Sequence, residues 1–390
     1  MPNKLHITYF FRKPQPQYFS IEKVFEQVIN KLPDNIVPHI YKLKNGTNGW
    51  WGRLKALIEV WRNKRVINHI TGDITFIALA LPKKGLVVTY HDLESLTQYK
   101  SFKFKLLKYL WVTIPVNRAQ IVTAISQHTK EQLIKWTGCD EHKIVVVANP
   151  LPEELTYTPK TFNKQCPTIL VMGTKANKNV EGIFEAVYRL SNCKNKEERS
   201  ERREESGNQK TEEKRDEREE ESSERRAVSS EIVDRRPKSD GEEHCVPNTK
   251  YYKLIVVGKM TEKQTLLAEQ YQLNIENLVQ VPYEAILDTY KRCDLLCFPS
   301  FYEGFGLPII EAQAIGRPVI TSNFGAMKEV AGRAASLVNP NKIQDIQWAI
   351  GDILEVEKLR SFLVEEGLKN VERFKGEVIA EAYNKVYEKV

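Results

Sequence analysis

The chain has 390 residues, 28% charged and 41% hydrophobic, with a formal net charge of +7. That length predicts about two domains, each able to bury its own core. Its six cysteines (139, 166, 193, 245, 293, 297) lack the spacing of a small secreted disulfide framework, no stretch approaches the ~18 apolar residues of a membrane span, and the start MPNKLHITYFFRKP is too short an apolar run for a secretory signal; a reduced cytoplasm is the expected setting.

A first strand is expected at LHITYFF, followed by a glycine-free loop bearing Arg12 and Lys13. WWGRLKALIEVWRNKR (50–65) reads as a helix on which Trp50, Leu54, Leu57, Ile58 and Trp61 form one apolar stripe, with Arg53, Lys55, Arg62, Lys64 and Arg65 mostly elsewhere. Such a stripe suits a helix on an anionic bilayer and equally one packed on a sheet; KSFKFKLLKYLW (100–111) is a second basic, aromatic stretch. NHITGD sets His69 and Asp73 at a strand-to-loop transition, where Asp73 serves either as turn and helix cap or as lining for a cleft. LVVTYH ends in His91 and Asp92 at the carboxyl side of a strand, where open α/β sheets bind ligands. Further strands are expected at IVTAIS and IVVVANP, with Ser126 read first as a helix cap.

The prolines from Asn149-Pro150 through Pro159 to Pro167 read as a linker, breaking near residue 155. The pattern then restarts: TILVMG, a loop with Gly173, Thr174, Lys175 and Lys178 ahead of a helix, then YKLIVVG, LVQV, LLCFPS and PVITS. Short Val/Ile/Leu-rich runs between helices predict parallel sheets covered on both faces, so the expected class is α/β with two doubly wound, Rossmann-like domains. Cys293 and Cys297 beside one such run read as core residues; no further ligands at zinc-site spacing accompany them.

Residues 194–243 stand apart, with 14 Lys/Arg and 18 Asp/Glu; the rest of the chain keeps 44 and 33, a net of +11. Thirty-two of those fifty positions are charged and none is aromatic, so the expectation is a disordered insertion, a charged single helix being the alternative. The positive balance elsewhere suits an anionic substrate or membrane surface; no nucleic-acid motif accompanies it.

FPSFYEGFGLPIIEAQAIGRPVITS (298–322) carries the most chemistry. A strand enters a loop with Glu303, Gly304 and Gly306; a helix starts at Pro308, carries Glu311 in its first turn, and stops near Gly316. Glycines permit close backbone approach and the helix start offers N–H groups and a positive dipole end, which together make an anion site. Two glutamates eight positions apart suit hydroxyls rather than phosphate, and an anion joined to a polyol is a sugar nucleotide.

The segment resembles the E-x7-E signature of retaining GT-B glycosyltransferases of family 4, the group 1 glycosyl transferases, and the resemblance covers nearly the whole chain except 194–243. It implies a first domain at 1–155 joined by a crossover helix at 369–390, and a donor-binding second domain at 156–368. It implies retention at the anomeric carbon, with Glu303 and His91 on the donor sugar, Gly304, Phe305, Gly306 and Leu307 contacting sugar and phosphate, Glu311 on the ribose and Lys178 on the diphosphate. Many members have Arg directly after the glycine where this chain has Thr174, so Lys175 is the substitute charge; the Gly-Gly loop expected after the first strand is absent, leaving Arg12 or Lys13 to supply charge. Asp73, Asp92 and Arg12 are the acceptor-side residues so implied. The implied partners are a nucleotide-sugar donor and a carbohydrate or lipid-linked acceptor of the cell envelope, with peripheral contact to an anionic membrane through 50–65 and 100–111. No D-x-D occurs, and neither metal nor cofactor is expected. A GT-B-fold epimerase, or a non-catalytic scaffold around the charged insertion, are the alternatives.

Overall fold

Two parallel six-stranded sheets organise the computed structural model, which describes residues 4–13, 20–45, 49–93, 96, 101–192 and 251–390. The charged insertion expected at 194–243 lies outside the described residues.

The first sheet runs β2-β1-β3-β4-β5-β6, with β1 at Leu5–Phe11, β2 at Ile36–Lys42, β3 at Ile67–Ile70, β4 at Leu86–Tyr90, β5 at Ile121–Ala124 and β6 at Ile144–Val146. The second runs β12-β11-β10-β7-β8-β9, with β7 at Thr168–Met172, β8 at Lys253–Val257, β9 at Asn274–Leu278, β10 at Leu295–Phe298, β11 at Val319–Ser322 and β12 at Ser336–Val338. Every pairing is parallel, as in Leu5↔Ile36 and Leu295↔Ile169. In each sheet the strand order reverses once, between β1 and β3 and between β7 and β10. Those two switch points are where an open α/β sheet leaves a crevice beyond its carboxyl ends.

Both faces of both sheets are apolar. Alternate residues of β1 face opposite cores: Phe10 joins Ile70, Val88 and Val122, while Ile7, Tyr9 and Phe11 join Phe25, Val87 and Ile379. The second sheet likewise separates a cluster around Phe184, Val256 and Ile350 from one around Phe298, Ile310 and Phe374.

The terminal segment crosses between the domains, in three pieces rather than as one helix from 369. Helix Glu357–Asn370 passes into a 3-10 turn, Val371–Phe374, buried in the second domain; helix Gly376–Tyr387 then packs on the first sheet. The switch is at Lys375, whose extended backbone (ψ 142°) ends the helical run, and Leu151 N donates to Phe374 O at 2.7 Å beside it. On the first sheet the helix is anchored by polar as well as apolar contacts. His69, expected at a strand-to-loop edge, is enclosed within β3 and joined to the Tyr387 hydroxyl (2.8 Å) and to Thr89 Oγ1 (2.7 Å), which meets Thr123 Oγ1 (2.6 Å). Burial drives its imidazole down to about 3, so it stays neutral and serves the packing.

Candidate active site

The second switch point is formed by the loops after β7 and β10, and both carry the expected charges. After β7 the chain turns at Gly173 (φ +85°), makes a 3-10 turn over Ala176–Lys178, passes Asn179 in the left-handed region (φ 54°) and enters a helix over 180–192. Lys178 therefore leaves the turn just before a helix start, and its stem lies where a side chain on Gly173 would stand, 3.0 Å from its Cε. Its ammonium meets Glu303 Oε1 at 2.6 Å and stands 4.5 Å from the Phe298 ring centroid. Both partners are mostly enclosed, with side-chain exposures of 18% and 15%. Asn177 braces the pair, donating to Tyr302 O (2.9 Å) and Glu303 Oε1 (3.3 Å) and accepting from Phe301 N (2.8 Å).

After Glu303 the loop closes on a helix at Leu307–Ile315, with Pro308 in its first turn and Gly306 (φ 104°) before it. Gly316 (φ 80°) ends it, its N–H donating to Ala312 and Gln313 carbonyls. Glu311 is in the second turn, not the first, and is buried: Tyr290 donates its hydroxyl to Oε2 at 2.5 Å. Burial pushes the Glu311 carboxyl up to about 7, against the lowering effect of that hydrogen bond. Phe305 turns its ring into the core, edge-on to Phe374, so only its backbone is left for a ligand; Leu307 is partly buried on the same cluster.

The first domain meets this loop directly. A Cβ on Gly304 would lie 2.0 Å from His91 O and 2.9 Å from Asp92 Cβ. Ser126 caps helix Gln127–Thr137 by accepting from Thr129 N (3.1 Å), and its hydroxyl also donates across the interface to Gly304 O (2.8 Å). Glu329 of the second domain accepts from Gln127 N at the start of that helix, 2.9 Å from both oxygens. His91 Nε2 donates to Thr71 O (2.8 Å), and burial lowers its pKa, so the ring is neutral with Nδ1 as its lone-pair nitrogen. Thr71 in turn donates to Phe10 O (2.9 Å), tying together the ends of β1, β3 and β4.

The remaining expected residues sit around this centre. Thr174 donates to Lys259 O (2.6 Å), and Lys175 is solvent-exposed where its side chain leaves the turn. Arg12 binds Glu22 (2.8 Å) and Asp73 (3.1 Å), so its charge is already met by two carboxylates; Asp73 and Asp92 are exposed. Asn177, Tyr290 and Glu329 were missed. Asn177 lies between Lys175 and Lys178 in the loop after β7, and nothing local to Tyr290 or Glu329 marks them in the sequence.

Helix Gly49–Asn63 departs from one of its two expected placements. Its packed residues are Ala56 and Val60, with Leu57 partly buried, whereas Trp50 (78%), Trp51 (77%), Trp61 (57%), Leu54 and Ile58 are exposed. Arg53 stands over the Trp111 ring (4.8 Å), which joins this helix to the 100–111 stretch; the side chains of 101–103 lie outside the described residues.

Two parallel doubly wound sheets, joined at their carboxyl ends and spanned by a terminal helix, define the GT-B class of glycosyltransferase. The model of Glycosyltransferase Family 4 matches residues 11–155 and that of Glycosyl transferases group 1 matches 245–370, one on each domain, and the chain belongs to this family. It is similar to O-antigen chain mannosyltransferase B of Escherichia coli (37% identity over 26% of this chain and 27% of that protein) and to D-inositol 3-phosphate glycosyltransferase of Corynebacterium jeikeium (30% over 34% and 33%). The matched region thus spans about a quarter to a third of these relatives' lengths. Across 99% of the chain the fold superposes on all of the Anabaena HepE structure in complex with UDP and glucose, at TM-score 0.69 and 14% identity.

Proposed function

We propose that this chain transfers a hexose from a nucleotide-sugar donor to an acceptor hydroxyl, with retention at the anomeric carbon. The carrying observation is the Lys178–Glu303 pair at the second switch point, 2.6 Å apart and beside a glycine-led helix start. Before the donor arrives each group neutralises the other. With it bound, Lys178 turns to the diphosphate oxygens and Glu303 to the sugar hydroxyls, so neither charge is left buried alone. As the sugar–phosphate bond breaks, charge grows on the departing diphosphate, and the Lys178 ammonium, once turned to it, stabilises that charge together with the N–H groups of the 304–307 loop. Neutral His91 can accept a sugar hydroxyl at Nδ1. Glu311 serves the ribose, and Asp73, Asp92 and Arg12 lie on the acceptor side. No metal or cofactor is assigned a part. Relatives named for mannosyl and glycosyl transfer support the reading, as does a fold neighbour holding UDP and glucose.

Thermal-shift screening against UDP-glucose, UDP-N-acetylglucosamine and GDP-mannose tests it. A donor at a hundredfold its Kd adds about 2.7 kcal/mol, a Tm rise of about 3 °C for a cooperative unit of this size. Nucleoside diphosphate should then be released faster when a carbohydrate or lipid-linked acceptor is added. Release that ignores every acceptor while the sugar changes configuration would point to the epimerase instead.

The proposal extends to a cytoplasmic protein resting on the inner face of an anionic membrane, with envelope polysaccharide or glycolipid as its product. No helix among the described residues is long and apolar enough to cross a membrane. Exposed Trp50, Trp51, Leu54, Ile58 and Trp61 next to exposed Lys55, Arg62, Lys64 and Arg65 form an apolar stripe with cationic flanks, suited to headgroup depth. The protein should sediment with phosphatidylglycerol vesicles and not with phosphatidylcholine, and Trp50→Ser/Trp51→Ser/Trp61→Ser should abolish it; equal partitioning of the variant refutes this surface.

A further inference from the structure

Glu311 is an unusual place for a ligand-binding carboxylate, because it is buried and no ion pair meets it among the described residues. Its one hydrogen bond there is from Tyr290, at Oε2. Tyr290 belongs to helix Tyr283–Arg292 and has no exposed surface. Its backbone is fixed from behind: Arg317 Nε donates to Tyr290 O (3.1 Å), Arg317 Nη2 to Lys291 O (3.0 Å), and Cys293 Sγ to Tyr290 O (3.4 Å). A buried cation at the carboxyl end of a helix suits the dipole there. Arg317 itself is held by Thr158 O and Ile315 O, so the arrangement runs from partly exposed Thr158 in the interdomain linker through buried Arg317 and Tyr290 to the Glu311 carboxylate.

Resting on the reading above, in which Glu311 binds the ribose, we infer that Tyr290 is its positioning residue: the hydroxyl fixes Oε2 and so aims Oε1 at the vicinal ribose hydroxyls of a nucleoside diphosphate. Those hydroxyls donate, and the ionised carboxylate is the stronger acceptor for both. Burial opposes ionisation and the Tyr290 hydrogen bond favours it. Tyr283, on the same helix as Tyr290, also feels the Glu311 charge, together with those of Glu154 and Glu284, and Lys23 of the first domain stands 3.4 Å above its ring; Arg317 and Cys293 lie behind Tyr290. The sign follows. Ligand binding favours the charged form, so affinity is highest above the Glu311 titration and falls as pH drops through it, by up to about tenfold per unit.

Calorimetric titration of the full chain with UDP, GDP and ADP, from about pH 5.5 to about pH 8.5, tests this. Wild type should bind one of them more tightly as pH rises through about 7 and then level off. Tyr290→Phe should bind it about tenfold more weakly near neutrality, with the rise displaced to higher pH, and should raise donor KM rather than lower kcat. A Phe variant with wild-type affinity and pH profile overturns the inference while leaving the function standing. Glu311→Gln, which keeps a partner for Tyr290, covers the case of a Phe variant that does not fold: its binding should be weak and independent of pH, and a wild-type slope there also overturns the inference. Wild type that binds none of the three nucleotides overturns the functional reading and this one with it.

Discussion

Lys178→Ala should lower kcat by about 10²–10³-fold, the loss expected when one preorganised group facing developing charge is removed. The reasoning starts from what the side chain does before any ligand is present. Its stem is laid over Gly173 and its ammonium stands beside the Phe298 ring, so only the turn from Glu303 to the diphosphate is left to make when the donor binds. Charge on the diphosphate is greater in the transition state than in the bound donor, so the ammonium contributes more there, and the effect should fall on kcat more than on KM. The Ala variant also strips Glu303 of its cation, leaving Asn177 as its brace, so a collapsed loop would lower activity too. Lys178→Met fills the space over Gly173 but removes the same charge, so it should be as slow as Ala; a melting curve at the wild-type midpoint in either variant shows that the loop is intact. A Met or Ala variant with wild-type kcat under saturating donor would remove Lys178 from the chemistry.

Much of this site was legible because its parts are local. Glycines and a proline around Glu303, and a lysine before a helix after β7, are short-range signals, and the parallel topology brings the two loops together through the reversal between β7 and β10. What escaped was long-range or weakly apolar. The Tyr290–Glu311 contact joins residues of two adjacent helices, and no periodicity within either one announces it. β9 was expected at LVQV, yet the chain forms it at Asn274–Leu278, a polar strand at the sheet edge where hydrophobic runs are a poor guide. β2 escaped for a related reason: it is also an edge strand and contains Pro38, which a central strand would reject. β12, only three residues long with an exposed Leu337, shows neither a period nor a hydrophobic run. The stripe on helix 49–63 left two placements open, because bulk alone does not mark a packed face: close packing on the first domain is made by small Ala56 and Val60, which leaves the tryptophans outward.

Gly304→Ala should abolish activity, by more than about 10²-fold, while leaving both domains folded. An added Cβ would lie 2.0 Å from the His91 carbonyl oxygen and 3.1 Å from its carbon. Those are backbone atoms at the end of β4, which is hydrogen-bonded into the first sheet and cannot step aside as a flexible side chain would. Relief must come from the interface, by drawing the second domain, its 302–306 loop included, away from the first. That movement breaks the Ser126–Gly304 hydrogen bond and loosens the Glu329 contact with the helix start at Gln127, so one methyl acts on several interdomain ties at once. Each sheet keeps its own pair of cores, so circular dichroism should be unchanged. Small-angle scattering should show a larger radius of gyration. The chemistry fails because Glu303 adjoins Gly304 and is carried with it, away from His91, and a displacement of about 1 Å is enough to cost a reaction about 10²-fold. Donor affinity should fall less than turnover, since Lys178, Glu303 and Glu311 all belong to the second domain and move as one body. An Ala variant of wild-type activity and unaltered scattering would mean that the close approach of Gly304 to His91 is not needed for turnover, and that the first domain contributes to the donor site through some other contact.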